Sequence, residues 1–301
     1  MYMTKTVSTQ RRLMRFMAED KGTLYLCATP IGNLGDLSQR CLEILQEVDI
    51  IAAEDTRRTL QLLNHFGITK PLTSYHEHNK KTKGEYIVKL LLEGKNVAQV
   101  SDAGTPAISD PGEDLVRLCI ENDINVTSVP GPVAGITALI LSGLPTGRYA
   151  FEGFLSVNKR NRYEHLEKIK NDTHTLIFYE APHKLRTTLE DMKNFLGENR
   201  RIAIARELTK LHEEIIRTTL SGAIDFYSEK SPRGEYVLVV EGARESELTE
   251  EKSLFWEKMS VIEHVEKYIS EGMNQKEAIK AVATDRSVPK REIYNEYHKN
   301  N

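Results

Sequence analysis

Several carboxylates stand where a short apolar run gives way to a polar segment. Glu54 and Asp55 follow Ile50 to Ala53, Glu180 follows Thr175 to Tyr179, and Glu207 follows the run Arg201 to Ala205. A carboxylate so placed can wall a substrate site or act as a general acid or base. A longer junction, Val100 to Gly112, carries Asp102 and Asp110, with Glu113 and Asp114 just beyond. No Lys or Arg occurs between Val97 and Leu115. A phosphate cradle of the GxxxxGK[ST] kind would be basic, so this loop suits a neutral or cationic small molecule rather than a polyphosphate. Gly104 lets a ligand approach the backbone, and Pro106 and Pro111 stiffen the loop so that little ordering entropy is lost on binding. The competing reading is a Gly/Pro/Asp turn that holds nothing. For Glu54 and Asp55 the competing reading is a helix cap paired with Arg57 and Arg58. His76 and His78 flank Glu77 but read as a solvated loop, and no metal site is expected.

These residues need elements to hold them. Leu24 to Ala28, Ile50 to Ala53, Val97 to Val100 and Asn125 to Val129 read as buried strands, separated by amphipathic helical stretches. Strand alternating with helix argues for a mostly parallel sheet, which places ligands at the strand ends. Gly143 to Gly147 marks a boundary. Beyond it Tyr149 to Leu155, Thr175 to Tyr179, Arg201 to Ala205, Glu213 to Leu220 (an edge) and Tyr236 to Val240 read as strands of a second α/β unit with some antiparallel pairing. Gly242 closes that unit, and three helices near Val261–Ser270, Gln275–Ala283 and Pro289–Tyr297 follow. The expected division is a leader over 1–20, α/β domains over 21–144 and 145–243, and a helix-turn-helix-like tail over 244–301.

A chain of 301 residues with 40% hydrophobic content can fill two cores, and 28% charge points to a soluble protein. No run of about 18 apolar residues exists to span a membrane. The first twenty residues lack the apolar segment of a signal peptide, and Met17 is an alternative start. Cys27, Cys41 and Cys119 show no metal-ligand spacing and read as reduced core residues of a cytoplasmic protein. The net charge of −3 conceals local basic runs. Lys159, Arg160 and Arg162 form one, and Lys290 and Arg291 follow Pro289 at the start of the last helix. Each is a candidate for nucleic-acid phosphates, with a solvated helix face as the alternative.

Seven stretches in order resemble the tetrapyrrole methylase family: Thr29 to Leu34, Ala53 to Arg57, Ser101 to Gly112, Val129 to Pro132, Glu152 to Leu155, Phe178 to His183 and Ala205 to Lys210. Ser156 departs from the proline expected after Gly-Phe-Leu. The resemblance spans about Gly22 to Gly242 and implies an α/β fold of two α/β domains with the cofactor cleft between them, plus the small C-terminal helical appendage. It implies S-adenosylmethionine as cofactor, with Thr29, Pro30, Asp102, Ala103, Gly104, Thr105, Pro130, Gly131, Phe178, Tyr179 and Ala205 as its contacts. Among family members the resemblance runs to those that methylate a cytidine 2′-oxygen in the decoding region of 16S rRNA. The implied partner is therefore 16S rRNA or the small ribosomal subunit, met by a homodimer. Arg57, Lys159, Arg160, Arg162, Arg206, Lys290 and Arg291 are then substrate contacts, and Glu54, Asp55, Glu180 and Glu207 catalytic candidates. The alternatives are a tetrapyrrole or diphthamide-pathway methylase and a non-enzymatic nucleic-acid binder. Glycines at several strand ends argue against the last.

Overall fold

The computed structural model describes residues 21–244, 256 and 259–299. The expected leader and residues 245–255, at the start of the expected tail, lie outside them. Five strands form a wholly parallel first sheet: β1 (Thr23–Cys27), β2 (Ile50–Ala53), β3 (Leu72–Ser74), β4 (Val97–Val100) and β5 (Asn125–Val129), in the order β3-β2-β4-β1-β5. The three-residue β3 is too short to register as a period in the sequence.

Helices α1 (Gln39–Glu47) and α2 (Thr56–His65) set Cys41, Leu45 and Leu63 against Ile51, Ala53, Ala98 and Val100. Helices α3 (Lys80–Leu92) and α4 (Gly112–Glu121) cover the opposite face, where Ile87, Leu91, Leu115 and Cys119 meet Leu24, Ala52 and Val97. Chains leaving the neighbouring strands β1 and β4 therefore depart on opposite faces. A crevice must open between their carboxyl ends, which is where such sheets bind ligands. Two backbone hydrogen bonds tie the loops across it: Thr29 N–H to the Gly104 carbonyl at 2.9 Å, and Gly104 N–H to the Thr29 carbonyl at 3.0 Å.

The second sheet holds β6 (Tyr149–Phe154), β7 (Thr175–Glu180), β8 (Arg201–Arg206), β9 (Glu214–Thr219) and β10 (Tyr236–Val240), ordered β6-β7-β10-β8-β9. Only β6 and β7 run parallel; the other three pairs are antiparallel. Helices α6 (Lys159–Ile169), α7 (Leu185–Leu196) and α8 (Leu220–Glu229) cover one face. Helix α5 (Ala134–Ser142) covers the other, setting Ala138 and Leu139 on Ile177, Ala203, Val237 and Val239. Helix α5 falls within the 21–144 segment yet packs on the second sheet, so the chain passes between the two sheets at Pro130–Val133.

The tail folds on its own core. Helices α9 (Val261–Ser270), α10 (Gln275–Asp285) and α11 (Lys290–Lys299) bury Val265, Ala278, Val282, Ile293 and Tyr297 together. Reciprocal capping by Ser260 with Glu263 and Asn274 with Glu277 starts the first two of these helices.

Candidate functional site

A cavity of about 370 Å³ lies between the two sheets. The β4–α4 loop supplies its floor with Ser101 to Thr105 and Ile108 to Asp110, and Phe154, Tyr179, Tyr236 and Val237 reach it from the second sheet. Gly104 sits at φ +84°, a conformation that an L side chain rarely adopts. Asp110 shapes the loop: its Oδ1 accepts the Ala107 N–H at 2.9 Å and the Gly112 N–H at 2.7 Å. Those bonds hold Ala107 and Ser109 at φ +68° and +64°. The other oxygen, Oδ2, is buried with no hydrogen-bond partner among the described residues, and burial pushes the Asp110 carboxyl up.

Asp102 stands at the edge of this cavity. Its Oδ1 accepts the Asp55 N–H at 3.0 Å and its Oδ2 pairs with Arg58 at 3.1 Å. Glu54 turns back to the same point and accepts the Asp102 N–H at 3.3 Å. Burial, aided by the charges of Asp102 and Asp110, pushes the Glu54 carboxyl above its usual range.

A second cavity of about 460 Å³ adjoins the first, sharing Ile31, Arg58, Ser101, Asp102, Ala103 and Glu235 with it. Its walls are the loop Thr29 to Leu34 and one stripe of α2, with Lys210 at the far end.

The structure brings Glu54, Asp102, Ala103, Gly104, Thr105, Tyr179 and Glu180 to the first cavity, and Thr29 and Pro30 to the second. The other expected contacts stand elsewhere. Phe178 and Ala205 are fully buried strand residues inside the cores of the second sheet. Pro130 and Gly131 line neither cavity; a Cβ on Gly131 would come within 2.7 Å of the Ala28 Cβ, so its bareness serves the close approach of two loops.

Among the carboxylates, Asp55 caps α2, accepting the Arg57 N–H at 2.9 Å and the guanidinium at 2.7 and 3.1 Å. Arg57 holds the Asp55 carboxyl far below the ordinary range. This is the cap-and-ion-pair alternative, and it occupies Asp55 and Arg57 together. Glu180 lines the cavity, but its oxygens accept the Ala181 N–H at 2.8 Å and the Thr188 hydroxyl at 2.5 Å. Glu207 pairs with Lys210 at 3.0 Å and accepts the Glu235 N–H at 2.9 Å. Burial alone would raise its carboxyl, but these partners outweigh it and the pKa falls.

The cations divide too. Arg206 pairs with Glu214 at 3.2 Å and donates to the Arg233 carbonyl at 2.8 Å, tying β8 to its neighbours. Arg162 is 11% exposed and paired at 2.7 Å with Asp191, 8% exposed, which locks α6 to α7 and leaves the guanidinium no phosphate to meet. Lys159 lies over the Tyr163 ring and Arg160 pairs with Glu164 one turn on, both at the surface. Lys290 and Arg291 are exposed at the start of α11. No group of three or more His, Cys, Asp or Glu that could hold a metal occurs among the described residues.

Sequence reasoning passed over Arg58, Ile31, Ser109, Phe154, Tyr236 and Val237 as site residues. Arg58 is readable from helical spacing with Gln61 and His65. Tyr236 and Val237 sit in an unbroken apolar strand that gives no such signal.

A family model described as Tetrapyrrole (Corrin/Porphyrin) Methylases matches residues 23–224. The chain belongs to this family. Its members use S-adenosylmethionine as methyl donor. Two curated relatives named ribosomal RNA small subunit methyltransferase I match nearly throughout. That of Halalkalibacterium halodurans is 54% identical over 93% of this chain and 96% of its own length. That of Bacillus subtilis is 50% identical over 96% and 98%. Among solved structures, diphthine synthase matches with a TM-score of 0.57 at 12% identity, over 73% of this chain and 90% of that one. The uroporphyrin-III-C-methyltransferase of Thermus thermophilus gives 0.53 at 17%, over 73% and 94%. At such identities these likenesses carry the fold alone.

The first cavity fits the donor. The carboxylates of Glu54 and Asp102 suit a cationic, hydroxyl-bearing ligand, while Ile31, Ile108, Val133 and Phe154 offer an apolar wall.

Proposed function

We propose that this methyltransferase acts on RNA of the small ribosomal subunit, methylating a cytidine 2′-oxygen in the decoding region of 16S rRNA. The observation that carries the reading is the match, over 93% and 96% of this chain, to relatives named for that subunit's RNA. Bound S-adenosylmethionine supplies an electrophilic methyl: as the ribose oxygen forms its bond to that carbon, the carbon–sulfur pair returns to sulfur and the hydroxyl proton leaves.

Glu54 is the residue we assign to that proton. Of the four candidate carboxylates, only Glu54 lines the cleft and has an oxygen without a hydrogen-bond partner among the described residues. Its raised pKa brings it toward neutral pH, where a base is most effective. Asp102, Asp110 and the turn at Gly104 orient the donor; fixing two reactants can supply about 7–11 kcal/mol of the barrier in the best cases.

The tail serves as an RNA-docking element, with Lys280 and Lys290 beside a surface groove between α10 and α11 and Arg291 next to them. Ile136 and Ile140 on α5 and Tyr149 and Phe151 on the edge strand β6 stay exposed. An apolar surface of this kind supports a homodimer. No described helix is long and apolar enough to cross a membrane. A ribosomal RNA substrate would place the enzyme's work in the cytoplasm. The test is to map ribose methylation of 16S rRNA from strains with and without the gene. One cytidine 2′-O-methyl group should vanish; an unchanged map would end the proposal.

A further inference from the structure

We propose that the second cavity, beside α2, holds the acceptor ribonucleotide, with Arg58 on its phosphate and Gln61 and His65 along its length. The inference rests on the RNA reading above and assigns that reading its substrate subsite. Three observations carry it.

The first is chemical contrast. The donor cavity is bordered by Glu54, Asp102, Asp110, Glu180 and Glu235, five carboxylates that repel a phosphodiester. The neighbouring cavity keeps Asp102 and Glu235, each bonded to a cation there, but lacks Glu54, Asp110 and Glu180 and gains Gln61, His65 and Lys210. Lys210 is held between Glu207 and Glu235 at 3.0 and 2.9 Å, so its charge is largely spent within the fold. Arg58 differs. Among the described residues its ion pair is to Asp102 through Nη1, and its side chain is 65% exposed. The rest of its planar fork is open to a second anion.

The second observation is placement along α2. Arg58, Gln61, Leu62 and His65 fall at i, i+3, i+4 and i+7, which is one face of a helix, and all four line the cavity. Gln61 and His65 are exposed, so the core does not require them. The opposite wall is the Thr29 to Leu34 loop, with Ile31 and Leu34 offering apolar surface to a sugar or base.

The third is continuity. The two cavities share Ser101, Asp102, Ala103 and Ile31, so a donor in one and an acceptor in the other meet without either crossing a wall. At about 460 Å³ the cavity lies within the range of small-ligand sites.

The experiment compares the full-length protein with Arg58→Ala and with the double variant Gln61→Ala/His65→Ala, whose exposed positions leave folding untouched. Binding to small-subunit RNA is followed across a salt series, S-adenosylmethionine affinity by calorimetry, and KM for RNA apart from kcat. Arg58→Ala should weaken RNA binding about tenfold and lower its salt slope by about one. The double variant should raise KM for RNA several-fold. Donor affinity should stay within about threefold of wild type in the double variant, whose two residues line only the second cavity, and Arg58→Lys should recover part of the RNA affinity. Wild-type RNA binding in both variants would overturn the inference, as would a loss confined to donor affinity. A wild-type protein that binds RNA through this face but methylates none would instead defeat the functional reading and leave the subsite standing.

Discussion

Replacing Gly104 with valine puts a β-branched side chain at φ +84°, in the middle of the turn that joins the two loops of the crevice. The left-handed backbone alone costs an L residue about 1–2 kcal/mol. The new Cβ would stand 3.2 Å from Ile31 Cγ2 and 3.4 Å from the Pro132 carbonyl, so the two methyl groups beyond it must displace Ile31 or enter the donor cavity. Unfolding free energy should fall by about 2 kcal/mol, which a domain of ordinary stability survives. Donor affinity should fall more than tenfold, a loss above about 1.4 kcal/mol. Urea unfolding measures the first quantity and calorimetric titration with S-adenosylmethionine the second. Gly147→Val is the control, because a Cβ there meets nothing within 4 Å. A folded Gly104→Val protein with wild-type affinity would refute the assignment of this loop to the donor.

Three further outcomes follow from the site. Glu54→Gln should cut single-turnover methyl transfer while leaving donor binding intact. Because the folded-state pKa of Glu54 is raised, the stability it contributes is present below its unfolded pKa and lost as pH rises through the folded one. The glutamine variant should therefore gain thermal stability over wild type at pH 8 but not at pH 4; a pH-independent difference would contradict this. Arg162→Ala strands the buried Asp191 carboxylate and should lower stability by about 3–5 kcal/mol with little change in the salt dependence of RNA binding. Lys290→Ala/Arg291→Ala should do the reverse, reducing the salt slope by about two at unchanged melting temperature.

The alternation of strands and helices was legible because apolar runs of four to six residues alternate with amphipathic helices, but the spatial order that sets β1 beside β4 and opens the crevice was not. The central loop was legible for another reason: its glycine, prolines and unpaired acidic charge are local signals. The roles of the charged residues were not. Arg162 and Arg160 are two positions apart in one basic run, yet one is locked to Asp191 and the other lies in solvent. Only the packing of α6 on α7 separates them. Glu54 and Asp55 are adjacent, yet the capping geometry of α2 consumes Asp55 and leaves Glu54 to the cleft. Helix α5 reads as a small apolar helix after β5, and nothing in its composition tells which sheet it will cover.

The most direct test of the central claim is methyl transfer by the purified protein. Small subunits from a strain lacking the gene are incubated with S-adenosylmethionine carrying a labelled methyl group, and the modified nucleoside is identified by mass spectrometry. Label on the 2′-oxygen of a single cytidine of 16S rRNA is the result expected here. Label on a base, or none on RNA from a protein that binds the donor, would contradict it.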